Sequence, residues 1–237
     1  MIANIKLTHK TVIANETLAF RFVKPPGFTF RAGQFGDITL INPSMTDPEG
    51  DTRAFSIASA PYEPDLMFAT RLRDTAFKRV MQKLPIGAEV KLDAPYGDFT
   101  LHKTEITPAV FIIGGIGVTP VRSVIAQATH DRTAHRIVLI HANRGLDDAP
   151  FRADFEQLAK DNPNFEYVGV ITKRPESNWQ GETGRVNEAM LKKYVDNLSS
   201  PVYYLSGPAG MVKAMRQLLV SLDINEDNIR TEEFAGY

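Results

Sequence analysis

After Pro108 the sequence alternates short apolar segments with longer amphipathic ones, and this alternation limits the fold more than any other feature. The apolar segments predict strands, and apolar residues at helical spacing between them predict helices. The predicted strands cover 109–113, 136–141, 165–171 and 202–205, and the predicted helices lie near 121–130, 151–161, 187–194 and 209–222. Strands that are apolar on both faces and joined by helices are typical of a parallel sheet with right-handed crossovers. We therefore expect a parallel α/β domain over residues 104–237.

Before Pro108 the sequence has a different pattern, in which short alternating segments are separated by Pro, Gly and Asp. Alternation of apolar and polar residues predicts strands at 2–8, 17–23, 34–41, 54–58, 66–72 and 89–92. One helix is predicted near 76–84, where apolar residues recur at helical spacing before Pro85. Strands of this kind predict an antiparallel barrel or sandwich over residues 1–103, with a domain boundary near Thr104.

The segment from Gly114 to Pro120 follows the apolar strand at 109–113 and reads Gly-Gly-Ile-Gly-Val-Thr-Pro. Glycines let the backbone turn tightly and approach a pyrophosphate, and the next helix offers free N–H groups and a positive dipole end. Pro120 suits the first helical turn, and we expect Thr119 to cap the helix. The segment predicts a phosphate-binding turn. The alternative is a tight strand-to-helix connection that binds nothing.

A second group of chemically useful residues lies in the strand-rich half, from Arg53 to Ser59. Arg53 offers a planar fork for a phosphate, Phe55 a stacking surface, and Ser56 a hydroxyl for a ring nitrogen. This arrangement favours a nucleotide site. The alternative is an ordinary strand that carries an arginine at its edge.

Taken together, these two segments resemble the ferredoxin-NADP reductase superfamily, whose flavin signature reads Arg-x-Tyr-Ser-x-x-Ser and whose nucleotide turn reads Gly-Gly-x-Gly-x-Thr-Pro. Four further segments match the family's motifs in order, namely 32–35, 94–99, 206–208 and 232–234. The resemblance implies a six-stranded antiparallel Greek-key flavin barrel followed by a five-stranded parallel α/β nucleotide-binding domain. It also implies a flavoprotein oxidoreductase that passes electrons from NAD(P)H to a separate one-electron acceptor, such as ferredoxin, flavodoxin or an oxygenase component.

The resemblance also assigns roles to individual residues. It implies catalytic positions at Ser56, Ser206 and Glu232. It implies flavin contacts at Arg53, Phe55, Ser56, Thr70, Ala76, Phe77 and Lys78, with Phe234 covering the ring. It implies nicotinamide nucleotide contacts at Gly114, Gly115, Gly117, Thr119, Pro120, Ser206, Gly207 and Pro208.

Three departures from the family pattern bear on these roles. Phe55 stands where Tyr is usual, so stacking is expected without a phenol hydrogen bond. Ser206 stands where many members have Cys, so hydride transfer cannot depend on a thiol. The usual Gly-x-x-Ser phosphate loop is missing near Arg73, and we expect the N–H groups that open the 76–84 helix, together with Lys78, to replace it. This departure leaves FAD and FMN open, and we favour FAD.

The choice between NADPH and NADH depends on the ends of two predicted strands. Asn143 and Arg144 follow the second strand of the parallel sheet, and Lys173 and Arg174 follow the third. In such sheets these ends face the adenosine half of the nucleotide. Three cations there favour the 2′-phosphate of NADPH, with NADH as the alternative.

Composition excludes several other functions. The chain has no cysteine, so it provides no disulfide and no Cys-ligated iron-sulfur cluster. Its formal net charge is −1 and its basic residues are scattered, so we expect no nucleic-acid partner. Its five histidines lack metal-ligand spacing, and we expect no metal site. No segment approaches the roughly 20 apolar residues of a membrane span. Residues 1–10 alternate apolar and polar residues and lack the apolar segment of a signal peptide, so we expect a cytoplasmic protein. We also expect a monomer.

Two other functions stay open at this stage. One is a reductase of small diffusible acceptors such as free flavin, ferric chelates or quinones. The other is an electron-transfer subunit of a larger complex. The loop that contains Trp179, Gly181, Gly184 and Arg185 is interpreted as a packing element, and the alternative is a surface for the electron acceptor.

Overall fold

The N-terminal part of the chain forms one six-stranded sheet. The computed structural model describes residues 1–173 and 179–233. The six strands are β1 (Ile2–Ala14), β2 (Thr17–Val23), β3 (Phe35–Leu40), β4 (Thr52–Ser56), β5 (Asp65–Arg71) and β6 (Glu89–Tyr96). Their order is β4-β3-β6-β1-β2-β5, and each neighbouring pair is antiparallel. The prediction of six antiparallel strands is confirmed, and we call this part the antiparallel half.

The antiparallel sheet curls so that its two edge strands, β4 and β5, approach each other. Just beyond β4, the N–H of Ala58 donates to the carbonyl of Met67 on β5 at 2.7 Å. Alternate residues of the strands fill the interior, where Phe20, Phe22 and Phe68 are almost fully buried. Helix α1 (Ala76–Lys83) adds Phe77 and Met81 to this core. The sheet is therefore a small barrel with a side-chain-filled interior.

Strand β1 is longer than predicted. The prediction was too short because apolar and polar residues do not alternate regularly in the second part of the strand. Its pairing with β2 shifts register between Leu7 and His9 and again between Val12 and Ala14. Such irregularities change which face a residue occupies, so an alternating pattern cannot be followed through them. The sequence pattern therefore ended at residue 8, although the strand continues to Ala14.

The C-terminal part forms a parallel sheet with helices on both faces, and we call it the parallel half. Its strands are β7 (Ala109–Gly114), β8 (Ile137–Asn143), β9 (Phe165–Ile171), β10 (Glu182–Thr183), β11 (Val202–Gly207) and β12 (Ile229–Glu233). Its helices are α2 (Thr119–Asp131), α3 (Arg152–Asp161), α4 (Glu188–Tyr194) and α5 (Ala209–Ser221). The strand order is β10-β9-β8-β7-β11-β12. The described sheet therefore has six strands where five were predicted. The two-residue β10 is too short to show a periodicity.

Two apolar cores flank the parallel sheet, which explains why its central strands are apolar on both faces. One core lies between the sheet and α4 and α5. The other contains residues of α2 and α3 and extends into the antiparallel half through Ala58 and Phe99. The two halves therefore share a core along one face of the parallel sheet. Within 1–173 and 179–233, no helix is long and apolar enough to cross a membrane.

Candidate functional site

The glycine turn lies at the carboxyl end of β7, as predicted. β7 ends at Gly114, a single 3-10 turn covers Gly115–Val118, and α2 begins at Thr119 with Pro120 in its first turn. Gly115 has φ +52°, in the left-handed region that favours glycine. The first turn of α2 therefore points its free N–H groups at the space above the sheet.

The expectation that Thr119 caps α2 is wrong. Val118 is the N-cap residue, and the Thr119 hydroxyl donates to the carbonyl of Ile116 at 3.2 Å. The reason is that the 3-10 turn runs directly into the helix, so Thr119 already has helical backbone angles. Its hydroxyl bonds backwards to the preceding turn.

Gly117 and Gly207 bring two distant segments of the chain into contact. A Cβ atom on Gly117 would lie 2.7 Å from the Cα and N atoms of Gly207. Gly207 has φ +140°, and a Cβ atom there would lie 3.0 Å from the backbone of Gly114. Pro208 also lies close to Gly114, since its Cδ atom would be 2.8 Å from a Cβ atom on that glycine. The predicted turn and the predicted Ser-Gly-Pro segment therefore form one surface.

The three residues expected to be catalytic share a property that five other described residues also have. The hydroxyl oxygens of Ser56 and Ser206 and one carboxylate oxygen of Glu232 are buried without a hydrogen-bond partner. Leaving a buried polar atom unpaired costs about 1–3 kcal/mol, so a bound ligand or an ordered water molecule would complete the bonding at these three positions. Ser206 pairs with Glu232 across β11 and β12, which puts both side chains on the same face of the sheet.

Glu232 lies in an environment that disfavours its charge. Burial, with a smaller contribution from the nearby Asp98 carboxylate, raises the pKa of Glu232 from 4.5 to about 7. A carboxyl group with this pKa exchanges a proton near neutral pH. Glu232 is therefore a group in this part of the site that could hold or release a proton.

On the antiparallel half, Arg53, Phe55 and Phe77 form a stack. The rings of Phe55 and Phe77 lie 5.8 Å apart and nearly parallel, and the Arg53 guanidinium lies 5.3 Å from the Phe77 ring. The next residue along β4, Ser56, is 4 % exposed. Thr70 on β5 is buried, and its hydroxyl donates to the carbonyl of Arg71 at 3.2 Å.

The start of α1 carries a concentration of positive charge. Thr75 caps the helix by accepting a hydrogen bond from the Lys78 N–H at 3.3 Å, and Ala76 is the first helical residue. Burial lowers the pKa of Lys78 to about 8, and the nearby cations Arg73, Arg53 and Arg71 contribute in the same direction. No described carboxylate pairs with Lys78. Such a group gains most from a bound anion.

The Asp47 carboxylate lies between Arg53 and the start of α1, a contact that the sequence did not indicate. The carboxylate accepts a hydrogen bond from Arg53 at 2.7 Å and another from the backbone N–H of Phe77. Desolvation alone would raise the pKa of Asp47, but Arg53 and the N–H of Phe77 together hold it below its usual value. The place between Arg53 and the start of α1 therefore stabilises a negative group.

The strand ends expected to hold the adenosine part of a nucleotide are joined by hydrogen bonds. The Asn143 carbonyl accepts from the Thr172 N–H at 2.8 Å and from the Thr172 hydroxyl at 3.0 Å. The Lys173 N–H donates to the carbonyl of Arg144 at 3.2 Å. The Asn143 side-chain oxygen is buried without a partner. The side chains of Arg144 and Lys173 are exposed beside this junction.

A pocket of about 400 Å³ opens next to these strand ends. Its lining includes Ala142, Thr172, Val186 and Met211, and Arg185 is its charged member. Sequence reasoning assigned Arg185 only a packing role, because no pattern in one sequence places a loop between β10 and α4 beside the end of β8. Trp179 packs as interpreted, since its ring fills the space beside Gly169 and Gly181.

His141 is a second residue that the sequence did not assign. It is fully buried on β8, and its Nε2–H donates to the carbonyl of Gly115 at 3.0 Å. Burial lowers the pKa of His141 to about 4, so the ring is neutral at physiological pH. This bond ties the glycine turn to β8 through the carbonyl of Gly115. Two other predicted residues, Arg174 and Phe234, lie outside the described residues.

The chain matches known proteins over most of its length. Residues 111–217 match the family described as the oxidoreductase NAD-binding domain. The phenol hydroxylase P5 protein of Acinetobacter pittii is 33% identical over 212 residues, which cover 87% of this chain and 58% of that protein. A subunit of the Na⁺-translocating NADH-quinone reductase of Klebsiella pneumoniae is 29% identical over 204 residues, which cover 79% of this chain and 50% of that protein. The chain thus spans only part of the length of these relatives.

A solved structure with the same fold covers both halves. The ferredoxin NADP⁺ reductase of Neisseria gonorrhoeae, solved with bound FAD and NADP, has a TM-score of 0.80 and 21% identity over 98% of each chain. The likeness shows that the two chains share one fold, an antiparallel barrel joined to a parallel α/β domain. Residues 111–217 are therefore similar to the oxidoreductase NAD-binding domain family, and the chain as a whole has the two-domain fold of the ferredoxin NADP⁺ reductase.

Proposed function

We propose that this chain is a flavin-dependent NAD(P)H oxidoreductase that delivers electrons to a separate one-electron acceptor protein. The observation that carries the proposal is the set of unpartnered buried polar atoms on Ser56, Ser206 and Glu232. Bound FAD would supply the chemistry, since it accepts two electrons from NAD(P)H and can release them singly. The chain's own task is to hold the two nucleotides and keep water out.

The antiparallel half offers the features that FAD needs. Arg53, Lys78 and the N–H groups that open α1 would hold its diphosphate, in the place that Asp47 now shares. Phe55 and Ser56 stand beside this site on β4 and would contact the ring system. Because the cationic group spans Arg53, Arg71, Arg73 and Lys78, it suits two phosphates better than one, which favours FAD over FMN.

The parallel half offers the matching features for NAD(P)H. The glycine turn and the start of α2 would hold its diphosphate, through the N–H groups of the first turn of α2 that have no partner within the helix. The pocket beside Thr172 would take the adenosine. Arg144, Lys173 and Arg185 surround that end, with Arg174 nearby in sequence, and they favour NADPH over NADH.

Ser56, Ser206 and Glu232 would line the place where the two rings meet. Their hydroxyl and carboxyl groups would orient the rings through hydrogen bonds, and Glu232 would hold or release a proton near pH 7. Thr119, the first residue of α2, directly follows the glycine turn and would contribute to the same place. We propose a boundary between the two nucleotide-binding domains near Thr104.

The acceptor is proposed from the relatives' names and from the composition. The related proteins are named as a phenol hydroxylase protein and as a subunit of an NADH-quinone reductase. The 237 residues contain no cysteine, so any Cys-ligated iron-sulfur centre in the electron path lies outside this sequence. We therefore propose ferredoxin, flavodoxin or an oxygenase component as the acceptor.

An absorbance spectrum of the purified protein tests the proposal. We expect a flavin spectrum that bleaches when NADPH is added without oxygen, and faster bleaching with NADPH than with NADH. Turnover should then saturate with increasing ferredoxin or flavodoxin. A rate that shows no saturation with either carrier, but does with free flavin or ferric chelates, would replace the protein acceptor by a diffusible one. Colourless protein that cannot be reconstituted with FAD or FMN would refute the proposal as a whole.

A further inference from the structure

Arg122, on the first turns of α2, contacts both halves of the protein. Its guanidinium forms a bidentate ion pair with Glu63 of the antiparallel half, in which Nη2 lies 3.1 Å from Oε1. Its Nε donates to Asp154 on α3 at 3.0 Å, and Nη1 donates to the carbonyl of Ala58 at 3.2 Å. The side chain is 9 % exposed, and that of Glu63 is 13 % exposed. This is a nearly buried ion pair between the halves.

The same face of α2 makes three further contacts with the segment that contains Glu63. The Ser123 hydroxyl donates to the carbonyl of Ser59 at 2.7 Å, and both serines are fully buried. One turn later, the side-chain oxygen of Gln127 accepts from the N–H of Tyr62 at 3.3 Å. The Tyr62 ring stacks on His130 with 4.1 Å between ring centroids. Residues 58–63 therefore lie along α2 for most of its length.

The residues that make these contacts are close in sequence to the glycine turn on one side and to Ser56 on the other. Arg122 lies three residues after Thr119, where α2 leaves the glycine turn. Ala58 lies two residues after Ser56, where β4 ends. Because a helix and a strand end are stiff over such short distances, a bond between Arg122 and Ala58 fixes how Ser56 sits relative to the glycine turn.

The chemistry of the ion pair explains why an arginine, and not a lysine, joins the two halves. Burial alone would lower the pKa of Arg122, but the Glu63 and Asp154 carboxylates outweigh burial and raise it. The charge is therefore retained inside the protein. A guanidinium that binds a carboxylate through two parallel bonds fixes an angle as well as a distance, which a lysine ammonium cannot do. The Phe151 ring, 5.9 Å from the guanidinium, limits its movement on another side.

We propose that Arg122 is a positioning residue, which sets the distance and angle at which NAD(P)H held by the parallel half meets the flavin held by the antiparallel half. This inference rests on the proposed function. It assigns to Arg122 a role in the rate of hydride transfer and none in binding either nucleotide, since its guanidinium bonds to Glu63, Asp154 and Ala58.

The kinetic test compares Arg122→Met and Arg122→Lys with Arg152→Met. Arg152 is the matched control, because its ion pair with Glu156 at 2.8 Å lies wholly within α3. We expect Arg122→Met to slow flavin reduction at saturating NADPH by about tenfold or more, since a displacement of 1 Å can cost about 100-fold. Flavin content and the Kd for NADP⁺ should stay at wild-type values. Arg122→Lys should also be slow because it loses the bidentate geometry, and Arg152→Met should stay within about twofold.

A distance measurement tests the same inference without turnover. Because the sequence has no cysteine, spin labels attach only at introduced sites, such as Lys91→Cys on β6 and Lys160→Cys on α3. Both lysines are exposed. We expect one narrow distance distribution for the labelled wild type and the Arg152→Met variant. The labelled Arg122→Met variant should give a broader or displaced distribution.

The outcomes separate the inference from the proposed function. If Arg122→Met keeps both the distance distribution and the reduction rate of the wild type, the inference is overturned. If the variant does not fold, Glu63→Gln replaces it, since it keeps the shape of Glu63 and removes the charge. Glu63→Gln should then show the same slowing, and a wild-type rate and distribution would overturn the inference. A wild type that binds no flavin refutes the proposed function, while the distance measurement still decides what Arg122 does to the two halves.

Discussion

The close packing around Gly117 lets us predict the effect of the substitution Gly117→Ala numerically. The φ angle of Gly117 lies outside the left-handed region, so alanine meets no conformational penalty there, and the cost of Gly117→Ala is steric. The new Cβ would lie 2.7 Å from two backbone atoms of Gly207 and 2.9 Å from the carbonyl carbon of Ser206. Ordinary contacts begin at 3.4 Å, so the glycine turn and the end of β11 must separate by about 0.7 Å.

Two effects follow from that separation. Overpacking of this kind costs about 1–3 kcal/mol in the free energy of unfolding, which urea titration measures. Ser206 moves with Gly207, so rapid-mixing kinetics should show flavin reduction by NADPH slowed by about 10- to 100-fold. Flavin content should not change, because the antiparallel half is untouched.

A second glycine serves as the control for this experiment. A Cβ atom on Gly210, in the first turn of α5, would meet nothing within 4 Å. Gly210→Ala should leave the free energy of unfolding unchanged or raise it by up to about 1 kcal/mol, because alanine favours a helix. If Gly117→Ala is as stable as the wild type and its flavin is reduced as fast, the reasoning from close approach is refuted.

Three further predictions concern single side chains. The pKa of Glu232 is about 7 in the native state and near 4.5 in the unfolded chain, so between these pH values the native state binds the proton and the unfolded chain does not. The free energy of unfolding should therefore fall as pH rises from 4.5 to 7, by up to about 3 kcal/mol. Urea titrations across this range should show that Glu232→Gln removes this slope, and an unchanged slope would contradict the assignment. Ser206→Ala should slow flavin reduction in rapid mixing with flavin content unchanged, and wild-type kinetics would remove Ser206 from the site. Lys78→Met should weaken flavin binding by about tenfold in fluorescence titrations, whereas equal affinity would show that the start of α1 does not hold the phosphates.

Local features of the fold and site could be predicted from the sequence because their causes are local. The glycine turn is flanked by an apolar strand and a helix in the chain itself, so its place at the end of β7 needed no tertiary information. The pairing of Ser206 with Glu232 was different, since it depends on the order of strands. Only the resemblance to a family suggested that these two residues belong to one site.

Features that depend on distant partners were missed. Arg122 resembles any charged residue on an amphipathic helix, and its burial depends on Glu63, 59 positions away in the sequence. Asp47 lies in a loop without regular structure, and only the curl of the sheet brings it to Arg53 and α1. The two-residue β10 depends on its pairing with Val170 and Ile171, and no periodicity in so short a segment could have indicated it.

Transfer of deuterium from labelled NADPH tests the central claim most directly, because it requires that the nicotinamide carbon and the flavin touch. The measurement is the rate of anaerobic flavin bleaching with NADPH that carries deuterium at the reacting position, compared with unlabelled NADPH. We expect bleaching within one turnover and a primary isotope effect on its rate. A protein that binds flavin but is not bleached by NADPH or NADH would contradict the account, since its two nucleotides would not meet.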